Sequence, residues 1–182
     1  MQANQNTIST LVERFDTPAM EIQSVSTPIN LPQSSALVSR AQLANAFKIW
    51  GKGDKRFIPS FVESTIVEEK DNQLVKDIRH YGKSIMADGS PNLQRTWFRD
   101  DNLMMTEYLG GPWFMVIAGI DEREDGEICL QLTTIRHKQH TDYLSPAELA
   151  KRNGAAKPPP TTEQNTYRIA GIIRGLAEAG EL

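Results

Sequence analysis

A single cysteine, Cys129, in 182 residues leaves no partner for an internal disulfide and no thiolate set for a cysteine-rich zinc site. Neither staple holds this chain together, and its stability must come from packing. An excess of one charge is also missing, since 20 Lys and Arg stand against 23 Asp and Glu for a net charge of -3. Nucleic-acid binding needs a basic face that releases counterions, so nucleic acid is not an expected partner. No window approaches the roughly 20 apolar residues of a membrane span. The opening MQANQNTIST lacks the charged-then-apolar layout of a secretory signal. No membrane partner is expected, and the default reading is a cytoplasmic protein.

Two further signatures are incomplete. GKGDK at 51 to 55 offers glycines and lysines, but the Gly-Lys-Ser/Thr of a phosphate loop and its following helix are absent, and an apolar FIP comes instead. The stretch therefore reads as a turn. His137 and His140, with His80, have the residue type for zinc but no nearby Glu or Cys, and Arg136 and Lys138 would repel a cation. No metal is predicted.

What is present is an ordinary globular composition, 39% hydrophobic and 24% charged, in a length suited to one domain with a real core. Residues 1 to 18 are rich in Gln, Asn, Ser and Thr, with Ile8, Leu11, Val12 and Phe15 at helical spacing before Pro18. This leader is either a short docking helix or a disordered segment. Alternation from Met20 to Leu31 predicts a strand. Ser39 with Gln42 predicts a capping box, followed by a helix whose inner face carries Leu43, Ala46, Phe47 and Trp50.

Strands are predicted over 62–69, 73–81, 93–99, 103–109, 112–121 and 127–137, with KDNQ, RDDN and EREDG supplying the turn residues. A short helix over YLSPAELAKRNG and a link AAKPPP follow. Thr161 and Gln164 then cap a last helix from 162 to about 179, where Ile169, Ile172, Ile173 and Leu176 form one apolar face. The order is that of an α+β fold. A curved antiparallel sheet wrapped on the last helix would bury that face and leave a cavity between them.

The stretch LVSRAQLANAFKIWGKGDKRFIPSFVESTIVEEKDNQLVKDIRHYG resembles the start of the AtaL-like branch of the START-like superfamily, also called SRPBCC. The pieces that carry the likeness are Leu37 to Arg40, the helix to Trp50, GDKRF at 53–57, IPSFVES at 58–64 and LVKDIRHYG at 74–82. The resemblance implies a helix-grip fold of about seven strands around a long C-terminal helix, over a single domain from 19 to 182. It also implies two short helices forming a V under the sheet, separated by the Gly51 to Lys55 turn. The stretch 142–160 has no place in a minimal member, and is either a lid over the cavity mouth or a surface decoration.

Polar groups on an apolar cavity wall have shifted pKa values and so can do chemistry. Alternation places Leu74, Lys76, Ile78 and His80 on one face, and the resemblance favours it as the cavity face. On the same expectation Leu93, Arg95, Trp97 and Arg99 face inward, as do Leu103, Met105, Glu107 and Leu109, and Ile128, Leu130, Leu132, Thr134 and Arg136. The candidate catalytic residues are thus Lys76, His80, Arg95 and Glu107. The candidate ligand wall is Phe57, Phe61, Ile78, Trp97, Met105, Trp113, Leu130, Leu132, Ile169 and Ile173.

Two alternatives stand beside this assignment. Lys76 and Arg95 could pair with Glu107 as cross-strand neighbours on the solvent face, and a one-residue register change would put Asp77, Arg79, Tyr81, Thr106 and Tyr108 inside. The resemblance implies a small hydrophobic, polyketide-like or aromatic metabolite of fungal secondary metabolism. The expected activity is its cyclisation or isomerisation without cofactor or metal. Two other classes compete with it: a non-catalytic carrier of such a metabolite, and a protein-interaction module with a filled core. The ligand's identity and the oligomeric state have no signature in the residues.

Overall fold

The computed structural model describes residues 20–58, 61–80, 92–109, 114–137 and 161–182. The chain runs through β1 (Met20–Pro28), α1 (Arg40–Gly51), β2 (Phe61–Lys70), β3 (Gln73–His80), β4 (Leu93–Arg99), β5 (Leu103–Tyr108), β6 (Phe114–Glu122), β7 (Ile128–His137) and α2 (Thr162–Glu178). The seven strands form one sheet in the order β1-β7-β6-β5-β4-β3-β2, antiparallel at every pairing. Strands β2 to β7 are a meander, and β1 closes it by pairing with β7 rather than with its neighbour in sequence.

Local chemistry sets the element ends. Ser39 and Gln42 exchange bonds in a capping box at α1, and Thr161 and Gln164 do the same at α2. Each box satisfies two N–H groups that a helix start leaves unpaired. The β4–β5 turn is closed by Asn102 N–H donating to the Arg99 carbonyl at 3.0 Å. Its two central residues, Asp100 and Asp101, both have φ of 51°, the left-handed geometry that suits a twisted hairpin and that Asp tolerates. Two register shifts in β2, at Phe61/Glu63 and Ile66/Glu68, bend that edge strand.

The core lies between the concave face of the sheet and the helices. α2 crosses β1 and β7, and α1 lies against β5 and β6. Phe47, Trp50 and Phe57 from the α1 region meet Met104, Ala118, Leu130 and Leu132 of the sheet and Ile169, Ile173 and Leu176 of α2 in one cluster. Each such large side chain contributes on the order of 1.5–3 kcal/mol on burial.

Only one α-helix precedes β2, so the expected V has a single helical arm among the described residues. Gly53, at φ 94°, turns the chain, and Asp54 then bonds the Arg56 backbone N–H at 2.9 Å. Such a side-chain bond to a nearby N–H competes with helix propagation. Ile58, which precedes Pro59, is also biased away from helical geometry. The expected leader 1–18, the IPS turn beyond Ile58, the short helix over 143–154 and the 142–160 insertion lie outside the described residues.

Candidate functional site

The inner face is read from burial and pairing together. On β3 it carries Leu74, Lys76 and Ile78, on β4 Gln94, Thr96 and Phe98, and on β5 Met104, Thr106 and Tyr108. One rung crosses the sheet through Lys76, Gln94, Tyr108, Phe114, Arg136 and Glu21 as successive Cα partners. A neighbouring rung carries Leu74, Thr96, Thr106, Val116, Thr134 and Gln23. These two rungs are the polar end of a face whose other end is apolar.

Lys76 is 1% exposed, and its Nζ donates to the Gly51 carbonyl oxygen at 2.6 Å. Gly51 ends α1, where unpaired carbonyls concentrate negative potential and favour a cation. Burial pushes the ammonium down to about 8, because the charged form loses its hydration. The glycines of GKG make this contact possible. A Cβ on Gly51 would sit 2.7 Å from Phe98 Cε1, and one on Gly53 would sit 2.7 Å from Ser64 Cβ. The GKGDK stretch is therefore a close-approach turn that seats α1 on the sheet.

Beside Lys76, Gln94 is 0% exposed, and neither its Nε2 nor its Oε1 reaches a partner in hydrogen-bond geometry, the Tyr108 hydroxyl being a neighbour close enough for the amide to act on it but not bonded in good geometry. Asn92, continuing the alternation of β4, is also buried with Nδ2 unpartnered. Its backbone N–H is held by Asp77 Oδ1 at 3.1 Å. Next along the rung, Tyr108 packs edge-on against Phe114, with centroids 4.9 Å apart. Burial pushes its hydroxyl up to about 12, with the adjacent Gln94 amide acting in the opposite sense.

Accessible inner wall begins at this tyrosine: Tyr108, Phe114, Val116, Thr134 and Arg136 are each partly exposed. Arg136 forks onto Glu21 at 2.8 and 2.9 Å, and Gln23 donates to Glu21 at 2.7 Å. Thr162, the first residue of α2, donates to Gln23 at 2.8 Å and lies 2.9 Å from the Thr134 hydroxyl. That network fixes the helix start over the sheet.

The expected site residues therefore divide. Lys76 and Ile78 are buried on the inner face, while Phe57, Leu130, Leu132, Ile169 and Ile173 belong to the closely packed core. Arg95, Trp97, Met105 and Glu107 are a correction: they lie on the outer face. Arg95 is the Cα partner of Glu107, Trp97 of Met105, and the Arg95 guanidinium stacks 5.7 Å over Trp97. Strand alternation has a period of two, so a one-residue change of face moves the whole set. His80 and Phe61 are backbone partners at the β3 and β2 ends, but their side chains lie outside the described ones, as does Trp113.

The residues missed are Gln94, Thr96 and Asn92, together with Thr106 and Tyr108, which only the alternative register placed inside. On β4 the outer positions Leu93 and Trp97 are more apolar than the inner Gln94 and Thr96, so apolarity points to the wrong face. Cys129 is buried, and burial pushes its thiol up, away from the thiolate a nucleophile needs. Among the described residues no group of three His, Cys, Asp or Glu side chains is placed to hold a metal, and no helix is long and apolar enough to cross a membrane.

The chain is similar to several solved structures. Truncated norcoclaurine synthase from Thalictrum flavum aligns with a TM-score of 0.56 at 10% identity, over 88% of this chain and 95% of that one. Zhui aromatase/cyclase from Streptomyces sp. R1128 aligns with a TM-score of 0.53 at 16% identity, over 88% of this chain and 94% of that one. The di-domain ARO/CYC BexL from the BE-7585A biosynthetic pathway aligns with a TM-score of 0.54 at 13% identity. That alignment covers 96% of this chain but 58% of BexL, so the chain spans little more than half of that protein. No family model matches the sequence, and neither does any curated protein. At such identities the likeness is one of fold: a seven-stranded antiparallel sheet gripping a C-terminal helix, a helix-grip architecture.

Proposed function

We propose that the protein is a cofactor-independent enzyme that binds a small, largely apolar, polyketide-like or aromatic intermediate between the sheet and α2 and catalyses its cyclisation or isomerisation. The observation that carries this reading is Lys76, a buried ammonium at about 8, held in place by one carbonyl. Near neutral pH such a group keeps its proton and yields it at small cost, which suits it to stabilise a developing enolate or oxyanion and to move a proton. The bond to Gly51 uses one N–H and leaves two for a reacting oxygen.

Tyr108 stands between this end of the rung and the accessible wall, so substrate reaches Lys76 when the tyrosine ring moves. Norcoclaurine synthase and the aromatase/cyclases are enzymes by name, and this supports turnover on the shared fold. The resemblance of 37–82 to the AtaL-like branch supports a setting in fungal secondary metabolism. A second reading, a non-catalytic metabolite carrier, is favoured by the same Lys76–Gly51 bond, since a lysine that only caps a helix end would make it too.

Native mass spectrometry of the protein from its own host, followed by extraction, identifies the retained metabolite, and turnover of that compound is then compared in wild type and Lys76→Met. Wild type is expected to convert it with an apparent pKa near 8, and the variant to bind it with at least a hundredfold lower rate, on the scale of about 10²–10⁴ for lost acid–base catalysis. Full turnover by Lys76→Met removes the lysine from the mechanism. Binding by wild type with no conversion establishes the carrier.

A further inference from the structure

We propose that the Gln94 side-chain amide is the polar anchor of the ligand, and that it selects a neutral molecule presenting a hydrogen-bond acceptor and donor side by side on an apolar frame. The inference rests on the ligand site proposed above and names the chemistry of its occupant. Two polar side-chain atoms on the inner face of β4, Gln94 Nε2 and Gln94 Oε1, are buried with no partner in hydrogen-bond geometry, as are Asn92 Nδ2 just before the strand and Arg95 Nε on its outer side. Each unbonded amide group of this kind costs about 1–3 kcal/mol, and native proteins bury few of them. Gln94 lies on the inner face as the Cα partner of Lys76.

The amide itself states what it would recognise. Nε2 offers donors and Oε1 an acceptor from one rigid plane, so its complement carries a carbonyl oxygen and an N–H or O–H on the same edge. A lactam, a carboxamide or a hydroxy-carbonyl edge fits; a plain hydrocarbon or a fatty chain does not. Discrimination of this type is strong, because a ligand without the polar edge leaves the buried amide unpaired.

Tyr108 marks the route to this amide. Tyr108 is the Cα partner of Gln94, is partly exposed, and forms the border of the accessible wall with Phe114. Its hydroxyl is also the neighbour that acts on the Gln94 amide, so a ligand takes the amide by displacing it. Thr96 does not compete for Gln94, because its hydroxyl is paired with Thr106 at 2.9 Å.

The test compares two planar probes of one shape, naphthalene carboxamide and isopropenylnaphthalene, by titration into the wild-type full chain and into Gln94→Met. Wild type is expected to prefer the carboxamide by at least tenfold. Gln94→Met is expected to lose that preference, to bind the hydrocarbon as before, and to melt higher than wild type without ligand, since an unpaired buried amide is gone. If the variant does not fold, Gln94→Leu and the wild-type preference decide the matter. Equal binding of both probes by wild type, or an unchanged preference in the variant, overturns the anchor while leaving the proposed ligand site standing. Binding of neither probe overturns that ligand site and the anchor with it.

Discussion

Lys76 Nζ bonds the Gly51 carbonyl oxygen at 2.6 Å across 25 residues of chain, so one side chain ties the end of α1 to the third strand. The same contact places a cation with its proton loosely held at the polar end of the concave face. Structure and chemistry are coupled here: whatever shifts the Gly51 carbonyl shifts the position of the amine.

Stability should rise with pH above 8 because of Lys76. Its folded value, about 8, lies below that of an unfolded lysine, so between pH 8 and about 10.5 the unfolded chain binds more protons and the slope is positive. The full shift corresponds to roughly 3 kcal/mol. Tyr108 acts oppositely: its folded value of about 12 makes the folded state hold the extra proton above about pH 10, and stability falls there. Urea melts of wild type should therefore show a maximum near pH 10, and Lys76→Met should lack the rising limb. A wild-type limb identical to that of the variant would show that Lys76 titrates normally.

Gly51→Ala should destabilise the protein by about 1–3 kcal/mol, the usual range for overpacking. The new Cβ would lie 2.7 Å from Phe98 Cε1. Phe98→Leu in the same chain should recover most of that loss, since the ring is what the methyl meets. A double-mutant cycle with no coupling would refute the contact.

The buried Thr96–Thr106 pair, 2.9 Å apart, should show a non-additive signature. Either Thr→Val change alone strands a buried hydroxyl and should cost about 1–3 kcal/mol, whereas the double change should cost less than their sum. Additive losses in thermal melts would mean the hydroxyls do not pair.

Arg95→Ala and Glu107→Ala should leave binding of an anilinonaphthalene sulfonate probe within about twofold of wild type, in keeping with the roughly 0.5 kcal/mol usual for surface changes. Both residues lie on the outer face, as Cα partners. A large loss of affinity in either variant would place them at the ligand after all.

The helices and tight turns were legible because their signals are local. Ser39 with Gln42 and Thr161 with Gln164 are three residues apart, and both boxes form. The Ile169, Ile173 and Leu176 face was readable for the same reason, as one side of one helix. Leu74, Lys76 and Ile78 were readable as one strand face.

Transferring that face from β3 to β4 was not possible from the residues, since the two strands are joined through 81–92 rather than by a tight turn that pins register. The hairpin between β4 and β5 kept Arg95 opposite Glu107, which is why both moved to the outer face together.

The amino-acid sequence by itself determined the element order, the caps, the antiparallel meander and the apolar face of α2, because each depends on residues within a few positions of one another. Only the tertiary structure decided which face of β4 and β5 points inward, that β1 closes on β7, and that Lys76, Gln94 and Tyr108 stand in one rung. Those outcomes depend on pairings between distant strands and on the close seating of Gly51 against Phe98, and no local propensity encodes them.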